Sequence, residues 1–248
     1  SFLSSLVNCT NLTLTNSHKG KLMKKSVLIV GAGHGLSSSL AKLCAENNMS
    51  VGLVARNIEK LEDLAKDIDA TLHSCDTSEI NEVSNLFENL DKTLGTPDLV
   101  VYNPSARVRG PIEDLDAQKT LEALKITCFG AFLVAQQAAK RMLKRGNGSI
   151  FFTGASAGVK GFPNSSVFAM GKFGLRGLAQ SLARELHPKN IHVGHFIIDG
   201  GIKSNTRQAL DDNLLDPDQI AKTYMELHLQ HRSAWAWEIE LRPWIERF

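Results

Sequence analysis

The chain reads as an α/β domain: a doubly wound parallel sheet of about seven strands, with helices on both faces. Three observations predict it. Short β-branched and aliphatic runs alternate with stretches of helical spacing from Ser26 to Leu241, the pattern of a parallel sheet with crossover helices. The first run, Ser26-Val-Leu-Ile-Val30, is almost wholly apolar, as a strand buried on both faces must be. That run breaks at Gly31, Gly33 and Gly35 and resumes with helical spacing at Leu36, Leu40 and Leu43, which is a strand, a tight turn and a helix start.

The elements follow in order. Ser26–Val30 leads to a helix over Leu36–Glu46, Val51–Val54 to a helix over Ile58–Ile68, and Thr71–Ser74 to a helix over Ser78–Leu90. Leu99–Tyr102 precedes one long helix through Thr120–Lys144. Ile150–Thr153 leads through a Gly-rich loop to a helix over Val167–Leu186, and Ile191–Ile198 is the sixth strand. A helix over Asp218–Gln230 and a strand over Trp237–Leu241 complete the pattern. In Asp76-Thr-Ser-Glu79 a capping residue and an early acid favour the exposed N–H groups of a helix start. Gly146-Asn-Gly148 stops the long helix, and Asp216-Pro217 opens the last one, proline being tolerated in a first turn. Residues 203–215 have no regular pattern and follow a strand end, where open α/β sheets bind ligands, so they form a candidate lid.

At 248 residues, 43% hydrophobic and 22% charged, the chain suits a single soluble domain with a sizeable core. A formal charge of +2 gives no reason to expect nucleic acid or an acidic membrane as partner, and no apolar run approaches the roughly 18 residues of a span. Cys9, Cys44, Cys75 and Cys128 are widely spaced and form no Cys-x-x-Cys pair, which argues against zinc or any other metal centre and against a disulfide framework; a cytoplasmic location is expected. Residues 1–22 are rich in Ser, Thr and Asn and lack both acids and the apolar core of a signal peptide. They read as a leader ahead of Met23, with Leu12-Thr-Leu-Thr as an alternative edge strand, and residues 23–248 as the domain.

The turn Gly31-Ala-Gly33-His34-Gly35-Leu36-Ser37 is the first candidate site. Its glycines admit close approach of backbone N–H groups to a ligand, and the helix start behind it favours phosphate. Leu36 stands where a strict Gly-x-Gly-x-x-Gly fingerprint has its last glycine; the spacing Gly31, Gly35, Ser37 fits a wider turn. An NAD site has an acid near the end of the second strand, whereas this chain has Val54-Ala-Arg56-Asn. A guanidinium there can pair with a 2′-phosphate through forked hydrogen bonds, so the expected dinucleotide is NADP(H).

From Gly31 to Ile202 this order of segments closely resembles the short-chain dehydrogenase/reductase family, whose fold is a Rossmann-type sheet. Its Thr-Gly-x-x-x-Gly-x-Gly turn reads here Val30-Gly31-Ala-Gly33-His34-Gly35-Leu36-Ser37, its Asn-Asn-Ala-Gly reads Tyr102-Asn103-Pro-Ser105, and its Pro-Gly-x-Ile-x-Thr reads Asp199-Gly200-Gly-Ile202-Lys-Ser204. The resemblance implies that Asp76 and Thr77 meet the adenine, that Gly200 and Ile202 close over the nicotinamide, and that a basic residue such as His34 accompanies NADP use. It also implies a homo-dimer or homo-tetramer, built on the long helices and the tryptophan-rich end, where Trp235, Trp237, Ile239 and Leu241 alternate as a strand with one buried face would.

The family's chemistry rests on an Asn, a Ser and a Tyr-x-x-x-Lys pair. The corresponding positions here are Thr127, Ala155, Phe168 and Lys172. Phenylalanine keeps the ring and cannot transfer a proton; losing a positioned general acid removes about 10²–10⁴ in rate. Ser156, Thr127, Asp199 and Tyr102 are candidate replacement donors, each with an alternative reading as turn, packing or core residue. Lys172 is expected on the nicotinamide ribose, and His195 is read as structural. Two functions follow: an NADP(H)-dependent oxidoreductase on a small carbonyl or alcohol with an atypical proton donor, or a cofactor-binding protein without turnover.

Overall fold

The computed structural model describes residues 24–247; the readings of residues 1–22 and of Met23 lie outside them. Seven strands form one sheet in the order β3-β2-β1-β4-β5-β6-β7. They are β1 (Ser26–Val30), β2 (Ser50–Ala55), β3 (Thr71–Ser74), β4 (Leu99–Tyr102), β5 (Gly148–Thr153), β6 (Ile191–Ile198) and β7 (Glu238–Leu241). Every pairing is parallel, with Val30 beside Val54 on one side and Tyr102 on the other. The chain reverses its direction of progress between β1 and β4, which opens a crevice at their carboxyl ends.

Parallel neighbours require crossovers, and the helices that supply them cover both faces. One core packs Val27, Ile29, Leu53 and Phe196 against α1 (Leu36–Glu46), α2 (Glu62–Ile68) and α7 (Pro217–Leu229). The other packs Leu28, Val30, Val100 and Phe152 against α3 (Ile80–Lys92), α5 (Gly130–Arg145) and α6 (Ser166–Leu186). Successive residues of β1 thus serve opposite cores, which is why the strand is apolar without alternation.

Four expected elements differ in detail; in the simplest case, the helix expected over Ile58–Ile68 is α-helical only from Glu62, and Glu59–Leu61 before it is a 3₁₀ turn. The long helix is α4 (Ala117–Leu124) and α5 joined by a π-turn over Lys125–Phe129. Two side-chain contacts hold that turn: Tyr102 Oη donates to the Ile126 carbonyl, and Thr127 Oγ1 accepts from the Ala106 N–H at 3.0 Å. A π-turn displaces backbone carbonyls from the α ladder and needs such partners. The helix expected from Ser78 starts at Ile80, because the Asp76 carboxylate takes the N–H and hydroxyl of Ser78 at 2.9 and 2.7 Å and makes a turn of its own. Trp237 precedes β7 and packs on the second core, whereas Ile239 and Leu241 pack on the first. The predicted shared face therefore covers only the last two. The expected stops hold: α5 ends at Gly146 with φ 87°, and the Asp216 side chain caps α7 by accepting from the Asp218 N–H.

Candidate active site

Two cavities lie at the carboxyl ends of the strands and share Asn103 and Ser105 in their walls. The first, about 400 Å³, is bounded by Gly31, Arg56, Lys60, Asp76 and Thr77. The second, about 410 Å³, is bounded by His34, Leu36, Ala155, Phe168 and Lys172, with Gly200 and Ile202 opposite.

The glycine turn joins them. Gly31 has φ 79° and Gly35 φ 94°, values that side-chain-bearing residues rarely adopt. A Cβ on Gly31 would stand 2.7 Å from the Pro104 ring, while one on Gly33 would meet nothing within 4 Å. The turn is pressed against the β4 loop on one side and open on the other, where a phosphate would approach the start of α1. Ser37, in place of the usual glycine, is more than a small residue. Its hydroxyl accepts from Asn103 Nδ2 at 2.7 Å and donates to the Gly31 carbonyl at 3.3 Å, bridging the turn to the end of β4.

In the first cavity Arg56 and Lys60 are the cations and Asp76 the acid. Partial burial alone would raise the Asp76 carboxyl, but the Ser78 hydrogen bonds, with Arg56 nearby, outweigh it and hold the group below its ordinary value. Thr77 turns its hydroxyl inward to Tyr102 at 3.1 Å.

In the second cavity Phe168 and Ala155 occupy the wall and offer no hydroxyl. Lys172 is buried and donates from Nζ to the Thr153 carbonyl at 2.7 Å. Burial, with Arg107 adding repulsion, pushes its amine down to about 7. Behind it, His195 is buried and shares Glu238 with Arg176: its Nδ1 lies 3.0 Å from Glu238 Oε2, and Arg176 holds the same carboxylate through two bonds of 2.8 Å. Burial pushes His195 down to about 4, so the ring is neutral and structural.

The four replacement donors stand elsewhere. Tyr102 is in the core, its hydroxyl given to Ile126 and Thr77, and burial raises it far above its ordinary value. The Thr127 hydroxyl is held by Ala106, and Asp199 is buried between Lys160 at 3.6 Å and Arg242 at 2.9 Å. Neither Thr127 nor Ser156 borders the second cavity. Sequence reasoning missed Arg107, whose guanidinium carbon lies 4.0 Å from the centroid of the Phe168 ring; Lys203 and Arg207, from the candidate lid 203–215, stand in the same wall. Among the described residues no group of His, Cys, Asp and Glu could hold a metal, and no helix is long and apolar enough to cross a membrane.

Comparison with known proteins agrees with this geometry. A family model described as short chain dehydrogenase matches residues 25–214. The chain belongs to the short-chain dehydrogenase family. Members of this family are oxidoreductases that use a nicotinamide dinucleotide. A 3-oxoacyl-[acyl-carrier-protein] reductase of Bos taurus is 30% identical over 195 residues, 78% of this chain and 82% of that protein. Carbonyl reductase family member 4 of Xenopus laevis is 27% identical over 216 residues, 83% of this chain and 91% of that protein. Among solved structures, a short-chain dehydrogenase from Rhodopseudomonas palustris superposes with a TM-score of 0.78 at 34% identity, covering 89% of this chain and 99% of that one. An alcohol dehydrogenase from Thermococcus sibiricus, complexed with 5-hydroxy-NADP, shares the fold with a TM-score of 0.81 at 19% identity, covering 90% and 98%.

Proposed function

We propose that the chain is an NADP(H)-dependent oxidoreductase acting on a small carbonyl or alcohol, with Lys172 as its proton donor. For the cofactor, the carrying observation is the pair Arg56 and Lys60 on the wall of the first cavity, at the end of β2, where an acid would select NAD. The open glycine turn fits the pyrophosphate. The complex of the T. sibiricus relative with an NADP derivative supports the same reading. When bound, the dinucleotide supplies or accepts the hydride; the chain's own residues must hold the substrate oxygen and move one proton. Lys172 borders the cavity and titrates at about 7, the range in which a general acid works at neutral pH. Titration with NADPH and NADH tests the cofactor: NADPH should bind at least about tenfold tighter, and Arg56→Ala should remove the difference. Equal affinities in the wild type refute it.

Phe168 and Ala155 in the cavity wall favour a second reading, cofactor binding without turnover. A panel of carbonyls with NADPH separates the two. Turnover by the wild type that is lost in Lys172→Ala supports the enzyme. Turnover that appears only in the Ala155→Ser/Phe168→Tyr double variant supports a disarmed scaffold. We also infer a homo-dimer or homo-tetramer in the cytoplasm. Phe129, Phe132, Met170 and Phe173 are all exposed along the π-turn, α5 and α6, more apolar surface than a monomer ordinarily leaves in water.

A further inference from the structure

We propose that the second cavity selects a substrate bearing a carboxylate, held by Arg107 with Arg207 in support. The substrate is then a short 2-oxo or 3-oxo acid, or the matching hydroxy acid. This rests on the oxidoreductase reading above and names its substrate class.

Four other arginines are held by carboxylates. Arg141 binds Asp91 and Arg176 binds Glu238 at 2.7 and 2.8 Å, Arg145 approaches Asp98 at 3.6 Å, and Arg242 binds Asp199 at 2.9 Å. Arg107, Lys203 and Arg207 make no ion pair among the described residues, yet with Lys172 they stand around one cavity, whose described wall contains no Asp or Glu. Burial and the like charges of Arg109 and Arg207 hold Arg107 below its ordinary value. Such a cluster repels itself and is stabilised by an anion.

The place of Arg107 decides which anion. The dinucleotide phosphates belong at the glycine turn. Arg107 instead sits 4.0 Å over the ring of Phe168, the residue at the position of the family's proton-transferring tyrosine. Its fork suits a planar carboxylate through two parallel bonds. A cavity of about 410 Å³ that must also take the reactive end of the dinucleotide leaves room only for a short molecule. In the reduction, the carbonyl π bond breaks, its carbon gains a C–H bond from the NADPH hydride, and its oxygen gains an O–H bond with the proton from Lys172. Oxo acid, NADPH and one proton become hydroxy acid and NADP⁺. The guanidinium also opposes the negative charge that grows on the carbonyl oxygen.

Calorimetric titration of the NADP⁺-loaded protein, in which an oxo acid binds without being reduced, with pyruvate, acetoacetate, their methyl esters and inorganic phosphate tests the proposal. At least one acid should bind about tenfold tighter than its ester. Arg107→Gln should abolish that preference, and Arg207→Gln weaken it, while NADPH affinity changes by less than about twofold. Equal binding of acid and ester, or no binding of either acid, overturns the proposal. So does phosphate binding as tightly as the acids, or an equal loss of NADPH affinity in Arg107→Gln, which would assign the cations to the dinucleotide. A wild type that does not bind NADPH refutes the function proposed above; titrating the acids and esters without cofactor then still decides the carboxylate site.

Discussion

Lys172 Nζ donates to the Thr153 carbonyl at 2.7 Å, so the one catalytic-position residue that matches the family pattern is tied to the end of β5 beneath a ring that carries no hydroxyl. The amine is buried, and the cavity it borders is lined by cations, apolar groups and neutral polar groups, with no Asp or Glu among them. That setting favours the neutral amine.

A pH dependence follows from this. The amine titrates at its ordinary 10.5 in an unfolded chain and at about 7 in the fold. Between those values the unfolded chain binds more protons, so this group's contribution to stability rises with pH and is lost as pH falls through about 7. Lys172→Met removes the linkage. In urea denaturation, the stability of wild type relative to Lys172→Met should improve from about pH 6 to about pH 9. Parallel stability curves for the two proteins would show that the amine keeps its ordinary value. Carbonyl reduction should likewise decline above about pH 7 as the donor loses its proton.

Ser37 supplies a second expectation. Restoring the family glycine with Ser37→Gly removes the bridge from Asn103 to the Gly31 carbonyl and adds backbone entropy to the first turn of α1. The combined cost is about 1–2 kcal/mol. NADPH affinity should fall several-fold with it, since the turn loses its fixed pose. Ser37→Ala separates the causes: it loses the bridge without the backbone entropy of glycine, its helix propensity being higher than that of serine. If Ser37→Gly leaves both stability and affinity unchanged, serine there is only a small residue.

The exposed aromatic pair Phe129 and Phe132, ring centroids 6.1 Å apart, gives a third. Phe132→Glu places a charge in the inferred contact between subunits, where its desolvation is costly. Sedimentation should show a dimer or tetramer in the wild type and a monomer in the variant, with thermal stability lowered at micromolar concentration. A monomeric wild type would remove the oligomer from the proposed function.

The five inner strands were legible in the sequence to within two residues because burial on both faces leaves a mostly apolar run, a signal carried by each segment alone. The glycine turn and Asn103 were legible for the same reason: local motifs specify them. What escaped was decided by partners far along the chain. The π-turn at Lys125–Phe129 depends on Tyr102 and Ala106 from the β4 loop, and no periodicity within the helix announces it. Asp199 and Tyr102 looked like free donors because Lys160, Arg242 and Ile126, which occupy them, are remote in sequence. Arg107 lies in a loop without pattern, and only the fold sets it over Phe168.

Tyr102 tests that distinction between a donor and a tether. Its ring is buried at the end of β4, and its hydroxyl serves the Ile126 carbonyl and the Thr77 hydroxyl. In Tyr102→Phe the packing survives, while a displaced carbonyl of the π-turn and a buried hydroxyl lose their partner. Leaving such groups unsatisfied costs about 1–3 kcal/mol. The cost should be read in denaturation at an unchanged m-value, since the surface exposed on unfolding is the same. A proton donor would behave in the opposite way: turnover would collapse at full stability, and the pH profile of the rate would lose a limb. Tyr102→Phe is therefore expected to unfold at lower urea and to keep its pH–rate profile, because the hydroxyl holds the turn that carries Thr127 and never meets the substrate.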